Sequence, residues 1–558
     1  MEEFQVGGWR VQPGRNRIVR AGEARRLEPR VMDLLVYLAE RHGEVLSGND
    51  ILRDVWPHQY VTDSALLTAI SALRKALGDS ARKPTFVQTV PKRGYRLVAP
   101  CTARRAALVV LPIRNRSGNT DDDYFADGMT ELLIAELGTI PALRVISRQT
   151  AMRFKSADRP SAEAMARLGA GMIVAGGVML DGSRVTLSME LVDATRDERL
   201  WGRSYELPLS DVMSAQRDIA AAIAGEISRR LRPREADDGN VPSVRAGALI
   251  DYMRGRFHWN KLSPQHFDAA RRYFESALEK DPDFAPAEAG IADVWGAYGY
   301  WGLMKPADVR RRVYEASLRA EAIDSRSAEA QMLLGAYHFY FERNWPEAES
   351  RFRRAIDLNP NLAHARSLYA LFLATLRRSS AHDEAAHAVR LDPLNPAALL
   401  VQALCYAAEA RWDEAHGSLH DILDLEPAHP PALQLQADIA WLNDTDEAIE
   451  KEAGAWAGDP EIRECLAGAL ACTNSRERLA AVADLLAARS AQDFVPPLQV
   501  ARLLVHAGCH EAALECLEHA AQNELIMQLD LLQLGAAWQP LRENSRFVAL
   551  KASLGLPP

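Results

Sequence analysis

The sequence predicts a multidomain chain: a winged helix-turn-helix (α+β) first, an α/β domain next, and an all-α solenoid of helical hairpins last. Three observations predict it. Residues 61–98 read as an amphipathic helix followed by a hairpin with basic residues at its tip. From residue 105 to 232, strand-like and helix-like stretches alternate. From residue 281 onward, an acidic residue or asparagine followed by proline, with Asp324-Ser325 in register, returns with a period near 34.

The first pattern is VTDSALLTAISALRKALGD, a short polar link, then FVQTVPKRGYRLV. Leu66, Ile70, Leu73 and Leu77 fall on one stripe of a 3.6-residue period. Thr62 or Asp63 can cap the start, and Gly78 sits where a helix C-terminus wants a left-handed residue. Phe86–Val90 and Tyr95–Val98 are β-prone, and Pro91-Lys92-Arg93-Gly94 supplies the turn and two cations. Upstream, Pro29–Arg41 predicts a helix with an inner stripe of Val31, Leu34, Leu35 and Leu38. Asn49–Trp56 predicts a shorter one burying Ile51, Leu52 and Val55. Phe4–Val6, Trp9–Val11, Arg17–Val19 and Arg25–Leu27 read as short strands.

A small sheet, three helices and a wing, with LEPRVMDLLVYLAERHGEVLS, ILRDVWP, LRKALGD and TVPKRGYRL in order, resemble the OmpR/PhoB-type DNA-binding domain across residues 1–100. With the leucine stripe inward, Ser64, Ala65, Thr68, Ala69, Ala72 and Lys75 look outward. The resemblance implies that this third helix enters the major groove and reads base edges from that face. The face is mostly small: alanine and threonine methyls suit thymine methyls, and Ser64 and Thr68 offer single hydrogen bonds. Long bidentate readers are absent mid-helix, so DNA shape and the wing are expected to carry part of the specificity. Arg74 and Lys75 are expected on phosphates, and Lys92, Arg93 and Arg96 on the backbone or minor groove. The loop Pro57, His58, Gln59, Tyr60 and Val61 is a candidate polymerase contact by the same resemblance. The alternative for each cation is solvated surface charge.

Charge agrees. The 558 residues carry a net −9, but residues 1–100 hold 16 Lys+Arg against 11 Asp+Glu, and the remainder is acidic. The longest apolar run, Gly169–Leu180, has twelve residues with four glycines, too few to span a bilayer. No signal peptide is read. A soluble, cytoplasmic protein, nucleoid-associated when on DNA, is expected. The six cysteines (Cys101, Cys405, Cys465, Cys472, Cys509, Cys516) form no CxxC or zinc spacing, and most are expected as buried thiols. His382 and His387 are five apart and miss helical zinc geometry. No metal or cofactor is expected.

The second domain, residues 105–232, starts with the strand ALVVLPI, a polar loop and the helix YFADGMTELLIAELGTI. LRVISR, MIVAGGVML, RVTLSMELVDA and the stretch around Leu200–Tyr205 add strands. A helix covers Ser161–Leu168, and a final one Ser210–Leu231. LPIRNRSG, YFADGMTELL and LVDA…ERLWGRSYE resemble the TolB-like domain, which implies no chemistry. Asp121-Asp122-Asp123 lies too far past its strand for a phosphoacceptor cluster and is expected as a solvated loop capping the next helix. Gly169-Ala170-Gly171 precedes a strand rather than a helix, so dinucleotide binding is not indicated.

A linker, Pro233–Pro242 within 233–244, leads to the repeats. Asp281, Asp324, Asn359, Asp392, Glu426 and Asp459 mark steps of 43, 35, 33, 34 and 33 residues. This is tetratricopeptide length, so residues 245–540 are expected to stack as a TPR-like solenoid, with an insertion near Gly299–Pro306 and a cap at 541–558. Ten aromatics between Trp295 and Trp345 suit either the repeat core or a concave groove for a partner.

The domain order resembles HilA/CadC-like transcriptional regulators, although no membrane helix of the CadC kind follows the head. The expected function is sequence-specific promoter binding to double-stranded DNA, with RNA polymerase as a partner. The C-terminal region is expected to bind a protein or peptide, or to form a homo-oligomer. No enzyme is expected. The competing readings are a TPR scaffold whose winged helix touches protein, and a nucleotide-handling enzyme, since similar segments accompany some adenylate cyclases.

Overall fold

The computed structural model describes residues 4–20, 23–41, 45–56, 63–80, 82, 84–91, 93–99, 107–140, 143–155, 164–165, 168–194, 197–231, 244–442, 447–467, 474–490 and 492–557. They fall into two compact units: Met1–Ala107 with Gly225–Ala236, and Leu108–Ala224 with Asp237–Pro558.

In the first unit, β1 (Phe4–Val6), β2 (Trp9–Gln12), β3 (Arg17–Arg20) and β4 (Glu23–Arg26) form an antiparallel meander. Helices α1 (Pro29–Glu40), α2 (Gly48–Val55) and α3 (Asp63–Leu77) follow, then the hairpin β5 (Val87–Val90) and β6 (Gly94–Leu97). The leucine stripes of α1 and α3 are buried, joined by Trp9 and Ile18 from the sheet. Strand β4 starts two residues earlier than Arg25, and Leu27 instead turns into the core.

The second unit opens with β7 (Ala107–Val110), β8 (Arg114–Asn115), α4 (Asp123–Gly138), β9 (Arg144–Val145) and α5 (Arg148–Met152). The long strands β10 (Ala170–Asp181), β11 (Arg184–Asp193) and β12 (Glu198–Pro208) complete the sheet, and helix α6 (Val212–Leu231) follows, its residues up to Ala224 belonging to this unit. The sheet order is β12-β11-β10-β7-β9, with β8 parallel to β10 and the three long strands antiparallel. Most of the expected Ser161–Leu168 helix, the linker, Cys101 and Cys472 lie outside the described residues. Asp122 holds the position before α4 without a side-chain capping bond, which corrects the capping role expected there. Of the described cysteines, Cys405 and Cys465 are buried, but Cys509 is exposed.

Helical hairpins fill the rest. The 34-residue period has a plain physical basis. Asp281, Asp324, Asn359, Asp392 and Glu426 each close the second helix of a hairpin. The backbone N–H of each donates to the carbonyl four residues before, at Ala277, Ala320, Ala355, Ala388 and Ile422. Asp459 departs: its side chain caps the following helix by accepting from the Ile462 N–H. The long first step arises from two long helices, Ala285–Tyr300 and Pro306–Ile323, around a short turn. Later hairpins use helices such as Ala363–Thr375 and Ala381–Leu391. The chain ends with helix Ser545–Ser553.

The α/β region seats on the turns of the solenoid. The Asn361 amide donates to the carbonyls of Gly138 (2.8 Å) and Leu143 (3.1 Å), and its oxygen accepts from the Val145 N–H (3.0 Å). One repeat on, Asp392 accepts from the Thr150 N–H (3.0 Å) and the hydroxyls of Thr150 and Ser147 (2.8 Å each). One repeat further, Glu426 pairs with Arg153 at 2.9 Å. Asp392 is 1% exposed, and burial pushes its carboxyl above the ordinary value despite bonds from Asn395, Ser147 and Thr150.

Replacing Asp392 with alanine strands two buried donors of Thr150 and the Ser147 hydroxyl. Each such loss costs about 1–3 kcal/mol. Urea unfolding of Asp392→Ala should show at least that loss, and hydrogen exchange should show faster opening of 143–155 than in Glu426→Ala, whose pair is exposed.

Candidate nucleic-acid interface

Helix α3 and the wing are locked to each other by two side chains. Arg74 donates from Nε (3.2 Å) and Nη2 (2.7 Å) to the Val87 carbonyl, and from Nη2 to Thr89 Oγ1 (2.8 Å). Just past the helix, Asp79 accepts from the N–H groups of Thr85 (2.7 Å) and Val87 (2.7 Å) and from the Thr85 hydroxyl (3.1 Å). Burial works against its charge. The backbone N–H groups of Val87, Thr85 and Ser80 outweigh that and hold its carboxyl below the ordinary value.

The same end of α3 is anchored to the N-terminal sheet. The Trp9 indole donates to the Leu77 carbonyl (3.1 Å) and Arg25 Nη1 to that of Ala76 (2.7 Å), pairing groups that a helix end leaves open. Arg25 also stacks on the Trp9 ring at 4.8 Å. Gly78 takes φ +73° as the left-handed stop. The second strand of the wing joins the helical body near its turn through an antiparallel bridge, Leu46 N–H to Tyr95 O (2.8 Å) and Tyr95 N–H to Leu46 O (2.9 Å). Gly94 has φ +134°, and a Cβ there would lie 1.9 Å from the Leu46 carbonyl oxygen.

The structure places the expected readers unevenly. Ser64, Thr68, Ala72 and Lys75 are exposed, and Ala65 is half-buried. Ala69 is buried at 6% exposure, so it belongs to the core and not to the outward face. The Thr68 hydroxyl donates to the Ser64 carbonyl (2.8 Å), leaving its oxygen to accept rather than its proton to give. Arg74 is a brace for the wing. Arg96 donates twice to Gln88 Oε1 (3.2 and 2.6 Å) and is half-buried, whereas Arg93 is exposed at the tip. Lys92 and the loop Pro57, His58, Gln59, Tyr60 and Val61 lie outside the described residues.

Sequence reasoning missed the cleft between helix and wing, lined by Leu67, Ser71, Arg74, Lys75, Thr89 and Tyr95. Leu67 is 58% exposed, a large apolar side chain facing solvent on the reading face. The signal was available: Leu67, Ser71 and Lys75 follow one another at four-residue steps beside the buried stripe. Chemically, the cleft combines a fixed hairpin, exposed hydroxyls, one apolar side chain and a lysine, a set suited to base methyls and a phosphate backbone.

Residues 22–97 match the family described as "Transcriptional regulatory protein, C terminal". The match runs from just before β4 to the end of β6, so helix α3 and the wing lie inside it. The transcriptional activator CadC of Escherichia coli is 45% identical over 97 residues, covering 17% of this chain and 19% of that one. The transcriptional regulator HilA of Salmonella typhimurium is 20% identical over 394 residues, covering 68% and 69%. A putative adenylate cyclase 3 of Rhizobium meliloti is 28% identical over 273 residues, covering 48% and 44%. The chain thus spans less than half the length of the cyclase and CadC relatives. Its N-terminal domain is homologous to those of named transcriptional activators.

Asp79→Ala should unpair the Thr85 and Val87 N–H groups and cost about 1–3 kcal/mol at neutral pH. Because the folded carboxyl sits below its ordinary value, that contribution is complete above about pH 5 and is lost as pH falls. Unfolding of wild type and Asp79→Ala should therefore converge in acid. Gly94→Ala should loosen the wing, read as faster exchange of the Tyr95 and Leu46 amides.

Proposed function

We propose that this chain is a sequence-specific DNA-binding transcriptional regulator, an activator of the HilA-like kind, acting in the cytoplasm on double-stranded DNA. The observation that carries the reading is the braced pair of helix α3 and wing, which presents one pre-organised surface of hydroxyls, methyls and cations. The match of residues 22–97 and the names of the relatives support it.

In this reading α3 enters the major groove with Ser64, Ala65, Leu67, Thr68, Ser71 and Ala72 toward base edges, and Lys75 toward phosphate. Arg74 acts at one remove by fixing the wing. Lys92, Arg93 and Arg96 follow the backbone or minor groove. The Pro57–Val61 loop meets RNA polymerase. DNA reading belongs to residues 1–100. Residues 105–232, read as a TolB-like domain, and the helical residues 245–540 with their cap form the regulatory part, which binds a protein partner or a second copy. Among the described residues no helix is long and apolar enough to cross a membrane. We assign no catalysis: the likeness to the putative adenylate cyclase covers under half of either chain.

The test is a salt series of DNA binding by the full chain, using duplexes from upstream of its own coding sequence. The Lys92→Ala/Arg93→Ala/Arg96→Ala variant should weaken all duplexes alike and reduce the log–log salt slope by about one per lost phosphate contact. Binding that ignores both sequence and these substitutions would sink the proposal. Leu67→Ala should leave the slope intact and relax preference at a single thymine-containing base pair, by no more than the about 1–3 kcal/mol that one mismatched base pair costs.

A further inference from the structure

Strand β12 ends the six-stranded sheet, and among the described residues it pairs only with β11. An edge strand leaves alternate N–H and C=O groups open to pairing, and proteins blunt such edges with bulges, prolines or brevity. Here the bulge, opposite Leu191 and Val192, and Pro208 stand near the two ends of the strand. Residues 201–207 between them run in unbroken register with β11. The apolar layer of the sheet is unfinished along this stretch. Leu187, Met189 and Leu191 of β11 are buried to 2% exposure or less. Their neighbours on the same face of β12 are not: Tyr205 and Trp201 are half-buried, as is Leu207, and Arg203 is exposed.

The other face of β12 carries Gly202, Ser204 and Glu206, all exposed. The Arg199 guanidinium reaches over Gly202 and fills the place a Cβ would take there. Arg199 also approaches Glu190 at 3.7 Å, and Glu206 approaches Arg184 at 3.9 Å, exposed pairs of little strength. Paired antiparallel with itself, this edge has one register in which both faces match. A two-fold axis at Ser204 sets Gly202 opposite the partner's Glu206, Arg203 opposite the partner's Tyr205, and Trp201 opposite the partner's Leu207. The Arg199 guanidinium over Gly202 then meets the partner's Glu206, twice by symmetry. The apolar face gains an arginine on an aromatic ring and a tryptophan against a leucine. An axis at Arg203 would set two arginines against each other. An axis at Tyr205 would leave Trp201 facing a position beyond Pro208, where the strand has ended. An axis between two residues would bring opposite faces together.

We propose that β12 is a homodimer interface: the β12 strands of two copies pair antiparallel about a two-fold axis at Ser204 and join two sheets into one. The proposal rests on reading the regulatory part as binding a second copy, and it names the surface that does so. Main-chain pairing supplies the attraction, and the Arg199–Glu206 pairs fix the register.

The experiment uses the full chain. Sedimentation equilibrium should show a dimer. Arg199→Glu and Glu206→Arg each set like charges opposite one another and should each weaken it at least tenfold. The double variant Arg199→Glu/Glu206→Arg should restore it, a rescue that a folding defect would not give. Ser204→Cys should link two copies through a 204–204 disulfide under mild oxidation, because directly opposite residues lie about 4.5–5.5 Å apart, within disulfide reach. Glu206→Cys should give no 206–206 link, since its counterpart across the axis lies about 13 Å away along the strand. Mass spectrometry of the linked peptides separates these products from links through the exposed Cys509. A monomeric wild type would overturn both this proposal and the second-copy reading beneath it. A dimer indifferent to the charge reversals, or one that forms no 204–204 link, would overturn the proposal alone.

Discussion

The second unit depends on the polar residue that ends each helical hairpin. At Asn359–Asn361, Asp392 and Glu426 the repeat supplies a group that stops a helix and, on its outer side, receives the α/β region. Asp392 shows why this matters. A carboxylate at 1% exposure is costly unless its lone pairs are filled, and four donors from Ser147, Thr150 and Asn395 fill them. The short segment 143–153 is thereby spaced by the pitch of the solenoid. At the first hairpin, Glu131 extends the seam, taking bonds from Arg256 Nε (2.5 Å) and Asn260 (2.9 Å) and an ion pair with Arg148 at 3.2 Å. A region joined by buried, directional bonds moves with its support.

The DNA-binding head uses the same device at smaller scale. Its hairpin is too short to hold itself, and isolated two-stranded ribbons are marginal in water. Arg74, Asp79 and the Leu46–Tyr95 bridge supply what pairing alone does not. One consequence concerns charge. A basic residue near the proposed DNA surface divides between holding the protein and holding the ligand: Arg74 braces the wing, whereas Arg96 is only half-buried against Gln88. The exposed Lys75 and Arg93 are left to face outward, with Leu67 between helix and wing as the apolar element.

Inside the solenoid, the crowded aromatic residues divide among different packing partners. Phe339 is fully buried and Tyr337 nearly so, in the repeat core. Tyr300 instead donates its hydroxyl to Asp530, and Tyr340 shares an apolar cluster with Met527. Trp301, at 49% exposure, does neither and packs edge-on to Phe267. That side of the helices Ala363–Thr375 and Pro396–Ala408 is thus packed against a later segment of the same chain.

What the sequence determined by itself was every feature set by near neighbours. The leucine stripe of α3, the glycine stop at Gly78, the strand pattern of the wing and the 34-residue period were legible because periodicity and capping act over a few residues. The head's family resemblance was legible for the same reason, since its motifs are runs of local signals in fixed order. Tertiary structure alone decided which polar groups remain available. Ala69 turned inward into the apolar cluster of the head, and Arg74 turned to the wing because Val87 lies within its reach. Asp392 finds Thr150 across 242 residues, and Tyr300 finds Asp530 across 230. A hydrogen bond needs its partner within about 3 Å. No local pattern records which distant residue folding will bring there.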